Sequence, residues 1–246
     1  MSLSLFRILT FAFLFLSGIR YAQANDYVDY DDLDDEELYI GQPIKGNANI
    51  KDPFEKFNRK MYAFNKGVDK VLLLPLAKTY RATTPSWGRQ RVKDFLHNLR
   101  EPLNFINYVA QAEGCKARKS LSRFLVNSTL GVGGLVDIAS TQNELRIEDT
   151  GFTETLAKYG GKDGAFLILP ILGPSTVRDF TGTLVDAAID PVNHVKLSSV
   201  AHPDNVLVPA KVISTRETLI EAIDHIEATA LDEYTALRSM YLQRKR

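Results

Sequence analysis

Hydrophobic residues in this chain recur mostly at helical spacing. Phe54, Phe57, Met61, Phe64, Val68 and Val71 follow one another at alternating steps of three and four. That spacing lays them along one stripe of a helix. Asp52-Pro53-Phe54-Glu55 predicts its start, with Asp52 as N-cap, Pro53 at the first helical position and Glu55 in capping-box position. Leu72 to Leu74 and Pro75 end the pattern. Pro85-Ser86 opens a second helix, striped by Val92, Phe95, Leu96 and Leu99. Glu101-Pro102 breaks it, because proline disfavours helical geometry in the residue before it. A shorter helix follows with Leu103, Phe105, Ile106 and Val109.

Glu113-Gly114 separates that helix from a basic one carrying Lys116, Arg118, Lys119 and Arg123, with Leu121, Phe124 and Leu125 on its apolar side. Lys116, Lys119 and Arg123 share a face. Such a face is ordinarily solvated; its functional reading is a surface for phosphate headgroups. The helix runs into Leu130-Gly131-Val-Gly133-Gly134-Leu-Val-Asp137. These glycines read as a helix C-cap and turn. A phosphate loop is excluded, because no Gly-Lys-Ser/Thr follows.

Asp149 to Tyr159 predicts a short helix, and Gly160-Gly161-Lys-Asp-Gly164 a second glycine loop. Ala165 to Pro174 is apolar but too short to span a membrane, and reads as a buried extended segment or one hairpin. Pro174-Ser175 starts a helix with Val177, Phe180, Leu184 and Ala188 on one face, stopped by Asp190-Pro191. A connection runs to about Ser214. Ser214-x-x-Glu217 then resembles a capping box for a final helix over 216–243. That helix would be about 40 Å long at 1.5 Å per residue. The chain is thus predicted to be nearly all-α, with glycine loops and no multistranded sheet.

The N-terminus alters the picture. Arg7, the apolar run Ile8–Leu16 and Ala22-Gln-Ala24 form a secretory signal-peptide pattern, cleaved after Ala24. The apolar run is shorter than the roughly 20 residues a spanning helix needs. Leu16-Ser17-Gly18 approaches a bacterial lipobox, but Ile19 stands where cysteine would be, and the one cysteine is Cys115. An N-terminal thioether lipid and an intramolecular disulfide are both excluded on this reading. The segment 25–51 is an acidic linker, with eight acids and no base between Asp26 and Glu37. Without those acids and the signal's Arg7 and Arg20, the body holds 28 bases and 22 acids. The organisation is 1–24 signal, 25–51 linker and 52–246 helical domain.

Catalytic patterns are missing. His97, His194, His202 and His225 form no i,i+4 pair and none neighbours Cys115, so no metal is expected. No Gly-x-Ser-x-Gly elbow occurs. Bases are not interleaved with aromatics as in nucleic-acid binders. An enzyme, a cofactor and a nucleic-acid partner are not expected.

Several motifs in order resemble the MlaA/VacJ family of outer-membrane lipoproteins. They are Asp52-Pro-Phe-Glu-Lys-Phe-Asn58 through Asn65, Arg100-Glu-Pro-Leu-Asn-Phe-Ile-Asn107-Tyr, and Arg123-Phe-Leu through Asn127, Gly131 and Asp137. Thr155-Leu-x-x-Tyr159-Gly, Leu172-Gly-Pro-Ser-x-x-Arg178-Asp179 and Asp190-Pro191 continue the series. The resemblance implies a ring of amphipathic helices in the inner leaflet of the outer membrane, on its periplasmic side. It implies partners too: phospholipid, a trimeric porin and a periplasmic lipid-carrier protein. Phospholipid strayed into the outer leaflet would pass through a polar channel to the carrier, maintaining lipid asymmetry. On the resemblance, Tyr159, Gly160, Gly161, Gly164, Arg178 and Asp179 are candidates for the lipid path or gate. Asp52, Pro53, Phe57, Asn58, Asn65, Asn127, Gly131, Gly133, Gly134 and Asp137 are structural candidates. The competing expectation is a periplasmic envelope adaptor that moves no lipid.

Overall fold

The computed structural model describes residues 52–194 and 204–245. The expected signal segment and acidic linker lie outside the described residues. The first helix, α1 (Glu55–Val68), passes through a π-helical turn (Asp69–Leu73) directly into α2 (Leu74–Thr83). Pro75 therefore does not end the helix. Its missing N–H falls where the ladder returns from the widened turn to α-helical bonding, so the axis continues. The cap also differs from expectation. Phe54 occupies the N-cap without a side-chain bond, and Glu55 pairs with Arg59 at 2.9 Å. Asp52 is instead drawn into a long-range contact with the C-terminal helix.

Pro102 does not divide the next segment either. One helix, α3, runs Ser86–Ala110 with the proline inside it. An interior proline costs about 3 kcal/mol. Burial of Glu101, Leu103, Asn104 and Tyr108 on either side of it opposes that cost. Helix α4 (Gly114–Thr129) folds back along α3. Two 3-10 turns, Ala139–Thr141 and Asn143–Leu145, lead to α5 (Phe152–Lys158). Strands β1 (Phe166–Leu169) and β2 (Gly173–Thr176) make an antiparallel hairpin, with Phe166 opposite Thr176 and Leu169 opposite Gly173. Pro174 and Ser175, expected to open a helix, lie in β2. The helix α6 (Val177–Ile189) starts after Thr176, whose hydroxyl accepts from Asp179 N.

After α7 (Pro191–His194), the predicted connection and single final helix become three helices: α8 (Asp204–Thr218), α9 (Ile220–Thr229) and α10 (Glu233–Gln243). Ser214 is not a cap but a buried residue inside α8, which also holds Pro209. The breaks fall at Leu219 and at Ala230–Asp232. Asp232 caps α10 by accepting from Tyr234 N and Thr235 N. A strong local cap ends one helix and starts another despite a continuing apolar period.

Packing joins these elements in a closed circuit. Helix α1 lies against β1, α2 against α8, α8 against α3, α3 against α5, α5 against α6, and α6 against β2. The β1–β2 pairing closes it. The fold is helical with one short hairpin.

The burial pattern runs against the hydrophobic stripes. Phe57 and Phe64 are 49% and 50% exposed and Val71 is 82% exposed, while the buried residue of α1 is Asn58. On α6, Val177 and Leu184 are exposed and Gly182 and Asp186 buried. On α4, Leu121 and Leu125 face outward and Ser120, Arg123 and Asn127 inward. Apolar clusters are small: Phe166, Ile168 and Tyr234 with neighbours, and Val208 and Val212 with Leu73, Ile171 and Leu172. Among the described residues, no helix is long and apolar enough to cross a membrane.

Candidate functional site

Buried amides carry much of the architecture. Asn58 Nδ2 donates to Phe166 O at 3.1 Å while its Oδ1 accepts from Ile168 N at 2.8 Å. Two turns later, Asn65 repeats the device with Leu169 O and Ile171 N at 2.8 and 2.6 Å. A side-chain amide sets a donor nitrogen beside an acceptor oxygen in fixed register, so these two serve β1 as a neighbouring strand would. Asn58 also donates to Asp52 Oδ1 at 2.8 Å, and Asp52 Oδ2 accepts from Tyr234 OH. Burial, reinforced by that carboxylate, pushes the Tyr234 phenol up. Pro53 and Phe57 stay exposed at the rim of this joint.

The second joint lies between α3, α4 and the glycine turn. Buried Glu101 accepts from Arg123 Nε at 2.5 Å and from Ser120 Oγ at 2.7 Å. Arg123 reaches Asp137 at 3.0 Å. Asn127 donates to Asp137 at 2.8 Å and accepts from Ala139 N at 2.9 Å. Gly131 is enclosed here. A Cβ would stand 2.2 Å from Val136 O and 2.4 Å from Asn127 O, closer than backbone atoms yield. Gly134, at φ +91°, would drive a Cβ into Asn98. Gly133 has φ +71° but open space around it.

The residues expected at a gate gather round the second glycine loop. Tyr159 is exposed and donates to Ala110 O at 2.8 Å. Gly160 and Gly164 have positive φ, and Gly161 lies against Leu156 O. Arg178 ties the loop down, donating to Gly161 O at 2.9 Å and pairing with Asp163 at 2.5 Å. Asp179 faces the other way, accepting from Tyr241 OH and pairing with Lys245 at 2.5 Å. The loop, the start of α6 and the end of α10 thus form one ionic cluster.

None of these six residues lines the cavity between α3, α6, α7 and α8. That cavity has a volume of about 70 Å³. A water needs roughly 10–15 Å³ by the same measure, so there is room for several. Its lining is mixed: Leu96, Leu99 and Leu103 from α3 and Leu207 and Val208 from α8 are apolar, and Arg100, Asp186, Asp190 and Lys211 are charged. Arg100 Nε is buried, 3.6 Å from Asp149, and makes no hydrogen bond among the described residues. Asp186 is held by Asn107 Nδ2 at 2.9 Å and Phe152 N at 3.0 Å. Burial pushes the Asp190 carboxyl up, opposed by Val192 N–H, Lys211 and Arg100. The sequence marked Asp190 as a helix stop and part of one resembling motif, and Lys211 only as part of a connection. Their convergence with Arg100 depends on tertiary packing, although Arg100 opens one of the resembling motifs.

These features define a helical protein with apolar residues facing outward on several helices, amide and ionic joints, and an amphipathic cavity between its helices. The chain belongs to the family described as MlaA lipoprotein, whose model matches residues 50–246. It is 37% identical over 216 residues to an uncharacterized protein of Rickettsia typhi, covering 86% of this chain and 83% of that one. It is 34% identical over 197 residues to the intermembrane phospholipid transport system lipoprotein MlaA of Escherichia coli, covering 78% and 76%. A solved structure described as the structural basis for maintenance of bacterial outer membrane lipid asymmetry matches with TM-score 0.68 at 30% identity. It covers 79% of this chain and 96% of the other.

Proposed function

We propose that this protein is a phospholipid-transport component of the outer membrane and maintains its lipid asymmetry. Phospholipid mislocalised in the outer leaflet enters the helical circuit, its headgroup follows a polar route, and a periplasmic carrier receives it. A trimeric porin holds the protein at its site. Export by the N-terminal signal delivers it to the periplasmic face. In this reading, apolar helix faces rather than an acylated cysteine carry membrane attachment. Moving a lipid between environments makes no covalent bond, so no catalytic group is assigned.

The observation that carries this reading is the inversion of α1, α4 and α6, with phenylalanine, leucine and valine outward and asparagine, arginine and aspartate inward. An outward apolar face is favourable against acyl chains and not against water. The inward polar groups keep a headgroup hydrated or hydrogen-bonded, where bare hydrocarbon would cost several kcal/mol. Membrane fractionation of the mature, untagged protein tests it, with bound lipid identified by mass spectrometry after mild detergent extraction. Recovery in the outer membrane with co-purifying phospholipid is expected. A fully soluble, lipid-free protein would overturn the reading in favour of a periplasmic adaptor.

A further inference from the structure

The cavity described above carries both signs of charge, and its composition selects among lipids. We infer that it is a headgroup subsite for zwitterionic phospholipid, in which Arg100 and Lys211 take the phosphate and Asp186 and Asp190 take the ammonium. This inference rests on the transport reading and adds the substrate class.

The chemistry of the walls supports it. Two cations and two carboxylates line one cavity of about 70 Å³. An anionic headgroup would meet as many carboxylates as cations, and Asp149 behind Arg100 adds a further negative charge. A phosphate joined to an ammonium satisfies both signs at once, so the same side chains that bind it disfavour its anionic competitor. Arg100 lines the cavity, and its Nε is buried with no hydrogen bond among the described residues. Asp190 is partly buried, and Lys211, Arg100 and Asp186, which line the same cavity, all lie within electrostatic reach of it. Asp186 is aimed by Asn107 and Phe152 N, so its carboxylate is fixed before a ligand arrives. The leucines of α3 and α8 supply the apolar part of the wall. A soluble phosphoester has no use for that wall, whereas the glycerol and first acyl carbons of a lipid do.

The test uses the full mature chain in mild detergent, offered equal amounts of dioleoyl phosphatidylethanolamine and dioleoyl phosphatidylglycerol. Native mass spectrometry counts the bound lipid. One charged hydrogen bond gained or lost gives a preference of roughly tenfold or more for the ethanolamine lipid. Asp190→Asn keeps an acceptor for Val192 N but removes the charge, and should bring the ratio close to one. Lys211→Met should reduce both lipids and leave the ratio standing. Equal binding by the unsubstituted protein would overturn the inference without reference to any variant. An unchanged ratio in a folded Asp190→Asn protein would also overturn it. Displacement of lipid by free phosphoethanolamine at equal concentration would overturn the assignment to a lipid in favour of a soluble headgroup. Capture of neither lipid would overturn the transport reading as well.

Discussion

At the scale of single residues, buried charge in this protein is placed where each group has several partners. His97 lies 3.3 Å from Asp149 and 3.9 Å from Glu101, beside the Arg123 pair. Burial alone would lower the His97 pKa; the hydrogen bond to Asp149 and the charges of Asp149 and Glu101 outweigh it and leave the value raised above 6.5. Burial alone would raise Asp149; the His97 bond, Arg100 and Asn104 instead hold it far below 3.8. A raised histidine stabilises the fold fully below 6.5 and ceases to do so as pH rises through its folded value. A depressed aspartate stabilises fully above 3.8 and progressively less as pH falls toward its folded value. The pair therefore contributes most between about pH 4 and pH 6.5. Thermal melts of the unsubstituted protein and of His97→Gln should differ most in that window and converge as the pH rises past it. A difference independent of pH would show that His97 acts through packing alone.

At the scale of elements, the helices are held to one another by ionic seams as much as by apolar contact. Along the seam from α1 to the C-terminal helices, Arg59 meets Asp232 at 2.8 Å, Lys66 meets Glu233 at 2.5 Å, and Arg216 meets Asp69 at 2.6 Å. These pairs are unequal. The Arg216 side chain is 5% exposed and Asp69 22%, whereas Arg59 and Asp232 are both above 40%. Arg216→Ala strands a largely buried carboxylate and should cost about 3 kcal/mol. Arg59→Ala should cost much less, because water screens an exposed pair. Denaturant midpoints check both, and equal costs would contradict this seam. Helical periodicity made most helices legible in the sequence, and the apolar run before Gly173 marked the hairpin. The breaks were less legible. Pro75 and Pro102 stop an isolated helix, but a π turn absorbs one and the α3–α4 packing holds the other. The opposite error arose in the C-terminal segment, where apolar spacing continues through Asp232 although its side chain caps a new helix. The cavity residues belong to four elements, so no local pattern could have assembled them.

For the whole molecule, the same stripes that predict helices correctly say nothing of which side faces inward. A soluble domain would bury the phenylalanines of α1 and expose Asn58 and Asn65; this one hydrogen-bonds both asparagines to the β1 segment and leaves the rings outside. If the proposed function holds, stability and membrane affinity are carried by different faces of one helix, and substitution separates them. Phe57 and Phe64 are each half exposed, so folding recovers only part of what their burial offers. Fully burying a phenylalanine is worth roughly 1.5–3 kcal/mol, which leaves about 1 kcal/mol per ring for transfer into acyl chains. The double variant Phe57→Ser, Phe64→Ser loses about 2 kcal/mol and should therefore bind phospholipid vesicles roughly thirtyfold more weakly in a flotation assay. Its melting temperature should change little by comparison. Asn58→Leu should do the reverse: it adds apolar surface yet strands Phe166 O and Ile168 N, and should unfold the α1–β1 joint. If instead the phenylalanine variant lost its fold and Asn58→Leu kept it, the apolar stripe would be core, and the outward-facing arrangement of α1 would be wrong.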